Sequence, residues 1–178
     1  SISVENQYID IIDLNSEEIC EKYLFNKNTE WNKLITDDIQ LSKKDMKVLE
    51  KSFYNLLNHK DFIYKIYDFK NVDSKIIFPI NILRIINNIS NHKNKLSNIS
   101  PIDILNQNDI LKNKLKINSN TSPNIILNII IDVLLHPKPL ITQFHISKEE
   151  FQEIHLEIEK KYFESIISPG EMVGAIAA

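Results

Sequence analysis

The sequence predicts a mainly α-helical chain, a compact multi-helix module with a minor short β element. Three observations carry that expectation. Cap-and-proline starts recur ahead of apolar stretches, at Ser100-Pro101 and Ser122-Pro123, where a hydroxyl caps the helix and proline takes its first position. Apolar residues recur at helical spacing, as in Met46, Leu49, Phe53, Leu56 and Leu57. Runs of β-forming residues are confined to 7–13 and 76–79. The 178 residues, 43% hydrophobic and 25% charged, suit one soluble globular unit with a real core.

In chain order, residues 7–13 read as one short strand. Asn15 or Ser16 caps a helix to about Leu24, with Glu17 and Glu18 in its first turn. Thr29 caps a helix over 30–39 that presents Trp31, Leu34 and Ile35. Ser42, with Asp45 three residues on, opens a longer helix; Asn58 to Asp61 is a candidate break, after which Phe62, Ile63, Ile66 and Tyr67 keep the phase. Residues 70–75 read as a loop, and Ile76-Ile77-Phe78 is extended because it precedes Pro79. Residues 81–89 form a helix with Ile82, Ile85, Ile86 and Ile89 inward and Arg84, Asn87 and Asn88 outward. The helix from Pro101 extends to about Leu115, with a candidate interruption near Asn106. Ile125 to Leu135 is apolar nearly all round and belongs at the centre of the core; Pro137 and Pro139 end it. Ser147 and Glu150 form a capping box for a helix to about Ile166. Phe151, Ile154, Ile158, Tyr162 and Ile166 make one apolar face of it. Leu156, Phe163 and Ile167 make a second, so burial on two sides is expected. Ser168-Pro169-Gly170-Glu171 opens a last helix of small residues.

Charge and composition exclude several function classes. A net charge of −3 is wrong for a basic nucleic-acid grip, and no direct nucleic-acid contact is expected. The only glycines are Gly170 and Gly174, so no glycine-rich phosphate loop precedes the C-terminus. One cysteine, Cys20, excludes a disulfide scaffold, and its neighbours Glu17, Glu18 and Glu21 disfavour a thiolate nucleophile. No signal peptide is visible. No run of 18 apolar residues is apparent, so no membrane span or membrane partner is expected. There is no starting methionine and no stop signal after Ala178, as in a piece cut from a longer chain.

Candidate chemistry reads blandly. His136, His145 and His155 lie within twenty residues, but without the one-turn spacing of a helical metal pair. Glu149, Glu153 and Glu157 share a helix face, and the Glu157–Lys161 spacing marks that face as solvated. Lys43, Lys44, Lys47 and Lys51 are diluted by Asp45 and Glu50. Trp31 and Tyr23 read as core rather than interface anchors. No catalytic, cofactor-binding or metal-ligating residue is assigned.

The closing segment Pro169-Gly170-Glu171-Met172-Val173-Gly174-Ala175-Ile176-Ala177-Ala178 resembles the PGEMVG signature of the largest subunit of multisubunit, DNA-directed RNA polymerases. There it precedes the trigger loop. Phe78-Pro79-Ile80-Asn81-Ile82-Leu83-Arg84-Ile85-Ile86-Asn87-Asn88 is similar to a helix start of the same family, and the chain's one arginine falls on that motif's arginine. Residues 151–163 and 8–14 resemble the helix ahead of the signature and the strand that opens the region in the RNA polymerase II-like enzymes. The resemblance implies two parts: a foot-like helical module over 1–167, and over 168–178 the start of the helix leading to the trigger loop. It also implies a whole enzyme that polymerises nucleotides with Mg2+, on carboxylates that this chain does not contain. The module itself is then a non-catalytic docking piece. Its partners are other polymerase subunits, with a capping enzyme or transcription regulators as further candidates. The 33 isoleucines, 21 asparagines and 20 lysines against one arginine point to A/T-rich codons, as in a large DNA virus or a protist. Its place is then intracellular: a viral factory or virion in the first case, the nucleus in a cell. The rival expectation is an independent helical interaction protein with a chance C-terminal likeness.

Overall fold

The computed structural model describes residues 5–26, 30–66, 75–78, 80–91, 94–116 and 122–167. Pro79 and the segment 168–178 lie outside the described residues. Among those described, the order is β1 (Glu5–Tyr8), a 3-10 turn (Asp10–Ile12), α1 (Ser16–Tyr23), a second 3-10 turn (Glu30–Leu34), α2 (Lys43–Ile66), β2 (Lys75–Phe78), α3 (Ile82–Ile89), α4 (Pro101–Leu115), α5 (Ser122–Leu134), α6 (Pro137–Thr142) and α7 (Lys148–Ile167). The mainly α expectation holds, and the β element is one antiparallel pair. In it Glu5 lies opposite Phe78 and Tyr8 opposite Lys75.

Helix starts follow the local chemistry. Asn15 and Glu18 form a reciprocal box, with the Glu18 N–H donating to Asn15 Oδ1 at 2.9 Å and the Asn15 N–H to Glu18 Oε1 at 3.1 Å. Ser42 and Asp45 do the same for α2. The Ser100 hydroxyl accepts from the Ile102 N–H ahead of α4, with Pro101 in the first turn. Ser147 and Glu150 close the box of α7.

α4 is the hub. It packs on α2, α5, α6 and α7, while α3 packs on α7 and α1 on α6. Ile129, Ile130 and Ile131 of α5 are fully buried, as the apolar run required. They join Leu49, Leu56 and Ile63 of α2, Ile104 and Leu111 of α4, and Ile154 and Ile158 of α7 in one core. Trp31 is buried there too, edge-on to Phe25 with ring centroids 4.7 Å apart.

The structure departs from expectation in six places, each with a physical reason. Residues 7–13 are not one strand. Ile9, Ile11 and Ile12 are all buried, which a strand of period two cannot achieve on one face; the chain turns at Asp10, held by the Tyr23 hydroxyl and the Lys22 ammonium. The helix over 30–39 stops at Leu34 because the backbone of Ile35 pairs with Ser97 instead. α2 does not break at Asn58–Asp61: Lys60 and Tyr64 donate to the carbonyls of Leu14 and Ile12, which anchors that stretch. α4 likewise runs through Asn106. Pro137 opens α6 rather than only ending α5, since proline needs no N–H partner at a first helical position. Finally, Leu156 is 66% and Phe163 40% exposed, so α7 is buried on one side only.

A further correction concerns hydropathy. The window Ile125–Thr142 is 18 residues long with a mean hydropathy of 1.6, enough to cross a membrane by composition. Here it is split into α5 and α6 by a turn at His136 and is 67% buried inside the fold.

Candidate functional site

The helix-start motif is built as its sequence suggests. Asn81 caps α3, its Oδ1 accepting from the Arg84 N–H at 2.9 Å. Ile82, Ile85 and Ile86 are buried below, and the Arg84 side chain is on the exposed side. The motif therefore fixes a helix start and presents one cation outward. β2 ends at Phe78, just ahead of this cap, and there pairs with Glu5 of β1, while Tyr8, where the strand-like stretch 8–14 begins, lies at the far end of the pair opposite Lys75. Pro169, Gly170, Glu171, Met172, Val173, Gly174, Ala177 and Ala178 lie outside the described residues, as does Pro79.

The polar chemistry of the fold is gathered elsewhere, between α2, α4 and α5. Asp132 receives Lys112 Nζ at 2.6 Å on one oxygen and pairs with His59 Nε2 at 2.7 Å through the other. Asp109 adds a second carboxylate to Lys112 at 3.2 Å. Burial works against the Asp132 carboxylate, but His59 and Lys112 outweigh it and hold its pKa below the usual range. Burial likewise opposes the Lys112 ammonium, and Asp132 with Asp109 raises its pKa nonetheless. This is an ion pair that locks three helices together.

One turn beyond, His136 is 2% exposed. Its Nδ1 accepts from the Lys138 N–H as the cap of α6. Its ring meets Tyr23 edge-on and Phe25 in a stack. Burial pushes its pKa down to about 3, so the imidazole is neutral near pH 7. Lys138 is buried as well, and its ammonium donates to the carbonyls of Glu21 and Leu24 at the end of α1. Those carbonyls have no helical partner, so the cation supplies what the helix end lacks. Replacing Lys138→Met keeps the stem and leaves the carbonyls bare. The expected loss is about 2 kcal/mol, read as a lower urea midpoint with an unchanged slope.

Buried Asn108 donates to the Leu135 carbonyl at 2.8 Å and accepts from His155 Nε2 at 3.0 Å. The candidate histidines are thus not brought together as a metal trio. His155 is tied to α4, His136 caps α6, and His145 takes a left-handed turn with φ of 48° between α6 and α7. Among the described residues, no group of three or more His, Cys, Asp or Glu is placed to hold a metal ion. Cys20 is exposed, and Lys43, Lys44, Lys47 and Lys51 all face solvent.

The Asp132 centre was missed in the sequence because its partners are 20 and 73 residues away. A signal was present: an acid inside the apolar run 125–135 needs a buried cation.

The family model for RNA polymerase Rpb1, domain 6, matches residues 1–165. The chain belongs to the RNA polymerase Rpb1 domain 6 family. It is similar to two Trypanosoma brucei brucei proteins, DNA-directed RNA polymerase II subunit RPB1-A and subunit RPB1-B. Each is 25% identical over 163 residues, covering 79% of this chain. The chain spans 9% of the length of each relative. The family match stops at residue 165, ahead of Pro169. The polymerase likeness therefore stands independently of the C-terminal signature.

Proposed function

We propose that this chain is a non-catalytic structural and docking module of the largest subunit of a DNA-directed RNA polymerase. The observation that carries the reading is the family match over 1–165, which coincides with a fold built on one continuous core. The paired and capped polar groups support the same reading. Asp132, Glu150 and Lys138 are each engaged in holding helices together rather than aimed at a shared reacting atom. We read residues 1–167 as the foot-like part of the subunit and 168–178 as the root of the helix leading to the trigger loop.

In the complete enzyme, nucleotidyl transfer would use Mg2+ held elsewhere. The described residues do not offer that ion a ligand set, so no chemical step is assigned to them. Other polymerase subunits are the first partners, with a capping enzyme or transcription regulators docking from outside. The setting follows: the nucleus for a cellular enzyme, a viral factory or virion for a viral one, with the isoleucine- and asparagine-rich composition fitting an A/T-rich source of either kind.

Incubated with Mg2+, labelled nucleoside triphosphates and an RNA–DNA scaffold, the purified chain should extend no RNA, while a complete polymerase does so in parallel. Metal-dependent extension by the chain, abolished with chelator, would overturn the non-catalytic reading.

A further inference from the structure

The uncovered side of α7 and the neighbouring side of α4 form a groove of about 540 Å³. The two helices run side by side with their starts together. The Lys148 N–H donates to Asn98 Oδ1 just ahead of α4 at 2.7 Å, and Lys114 meets Glu159 at 3.3 Å near the other end. Between these ties α7 advances eleven residues, from Lys148 to Glu159, or about 16 Å, the length of three helical turns.

The groove's walls and floor differ in kind. Leu156 is 66% exposed and Ile110 46% exposed, one on each wall, and Phe163 continues the α7 row two turns on. Large apolar side chains left this open on facing rows mark a contact surface rather than scattered exposure. His155 also lines the groove. Asn108 fixes its tautomer. The amide nitrogen donates to Leu135, so the amide oxygen accepts the Nε2–H, and Nδ1 is left as an acceptor. Burial keeps the ring neutral, with its pKa lowered to about 4.

The charges limit what fits. Asp103 and Lys148 stand at one end, Lys114 and Glu159 at the other, so each end is balanced. A nucleic acid or a strongly acidic or basic tail gains nothing from such a rim. A short helix with one apolar face and mixed charges at its ends matches both the charge and the length.

We infer that the α4–α7 groove docks an amphipathic helix of about three turns from elsewhere in the same polymerase, with one N–H or O–H donor at mid-length meeting His155 Nδ1. The inference rests on the reading of the chain as a module of the largest subunit, since the relatives are far longer than the matched segment.

The test uses the full-length subunit assembled into the complete polymerase. A photoreactive p-benzoyl-phenylalanine replaces Leu156 in one preparation and exposed Tyr54 of α2 in another. Adducts are mapped by mass spectrometry. The Leu156 position should form about tenfold more adduct than the Tyr54 position, to a helical polymerase peptide carrying a donor side chain, and Ile110→Asp should reduce that adduct several-fold. Adducts no stronger than at Tyr54, or adducts to nucleic acid or to a second copy of the module, would overturn the groove assignment while assembly stayed intact. Failure of the unaltered subunit to assemble with polymerase subunits would instead overturn the reading beneath it, and the assignment with it.

Discussion

Lowering the pH from 7.5 to 4 should cost this chain on the order of 6 kcal/mol of stability, a large share of what holds a domain of this size together. The cause is a pair of buried neutral histidines. His136 and His155 have folded pKa values lowered by burial to about 3 and about 4, from an ordinary 6.5. Above 6.5 both states are neutral and stability is complete. Below it the unfolded chain takes up protons that the folded chain refuses, and each histidine removes about 1.4 kcal/mol per pH unit. The loss ends near pH 4 for His155 and near pH 3 for His136. The surroundings of His136 do not rescue it: Asp132 favours the proton, Lys138 opposes it, and burial exceeds both. Urea midpoints followed by circular dichroism between pH 7.5 and 4 should fall steeply. The double variant His136→Phe with His155→Gln should flatten that slope whatever its stability at pH 7.5. An equally steep slope in the double variant would place the acid sensitivity elsewhere.

Removing Asp132 should have the second largest effect. The Asp132→Ala variant leaves the Lys112 ammonium, with 19% of its side chain exposed, beside His59 with only the largely exposed Asp109 carboxylate still against it. Breaking one side of such a pair costs about 3 kcal/mol, more than an exposed ion pair would. Lys112→Met should cost less, because the Asp132 carboxylate keeps His59. The two changes together should cost less than their sum, since the second removes a partner already lost. Strict additivity in denaturant midpoints would show that Asp132 and Lys112 act independently, against the contact seen here.

These two centres also show what local sequence can and cannot reveal. Helix starts were legible because each is written within four residues: Asn15 with Glu18, Ser42 with Asp45, Ser100 with Pro101, Ser147 with Glu150. The inward face of α3 was legible from spacing, and the central place of α5 from its nearly continuous apolar run. The Asp132 centre was not, because its partners sit on other helices and spacing along one helix says nothing about its neighbours. The same holds for Lys138, whose carbonyl partners at Glu21 and Leu24 precede it by more than a hundred residues. Leu156 and Phe163 misled for a related reason. Their spacing marks an apolar row truthfully, but whether a row is covered depends on what stands opposite, and the packing of α3 and α4 on α7 leaves Leu156 and Phe163 open. The turn at Asp10 has no local signature: β-forming residues fill 7–13, and only the burial of three isoleucines in four positions excludes a strand there.

The family-level likeness was more legible than the geometry. The helix start at Asn81 and Arg84 is written in a few consecutive residues, and the structure builds it as a capped helix. The candidate site in the strict sense, a set of reacting groups, had no signature in the sequence; Asp132, Lys138 and Glu150 hold elements of the fold together.

Association with the polymerase is the property on which the proposed role depends. The purified chain, confirmed as folded by its helical circular dichroism, should be mixed with polymerase subunits assembled around a largest subunit lacking this segment, then run through sedimentation. Co-sedimentation in one-to-one proportion is the expected result. A folded chain that sediments alone at micromolar concentrations, whatever the subunit mixture, would refute the docking role.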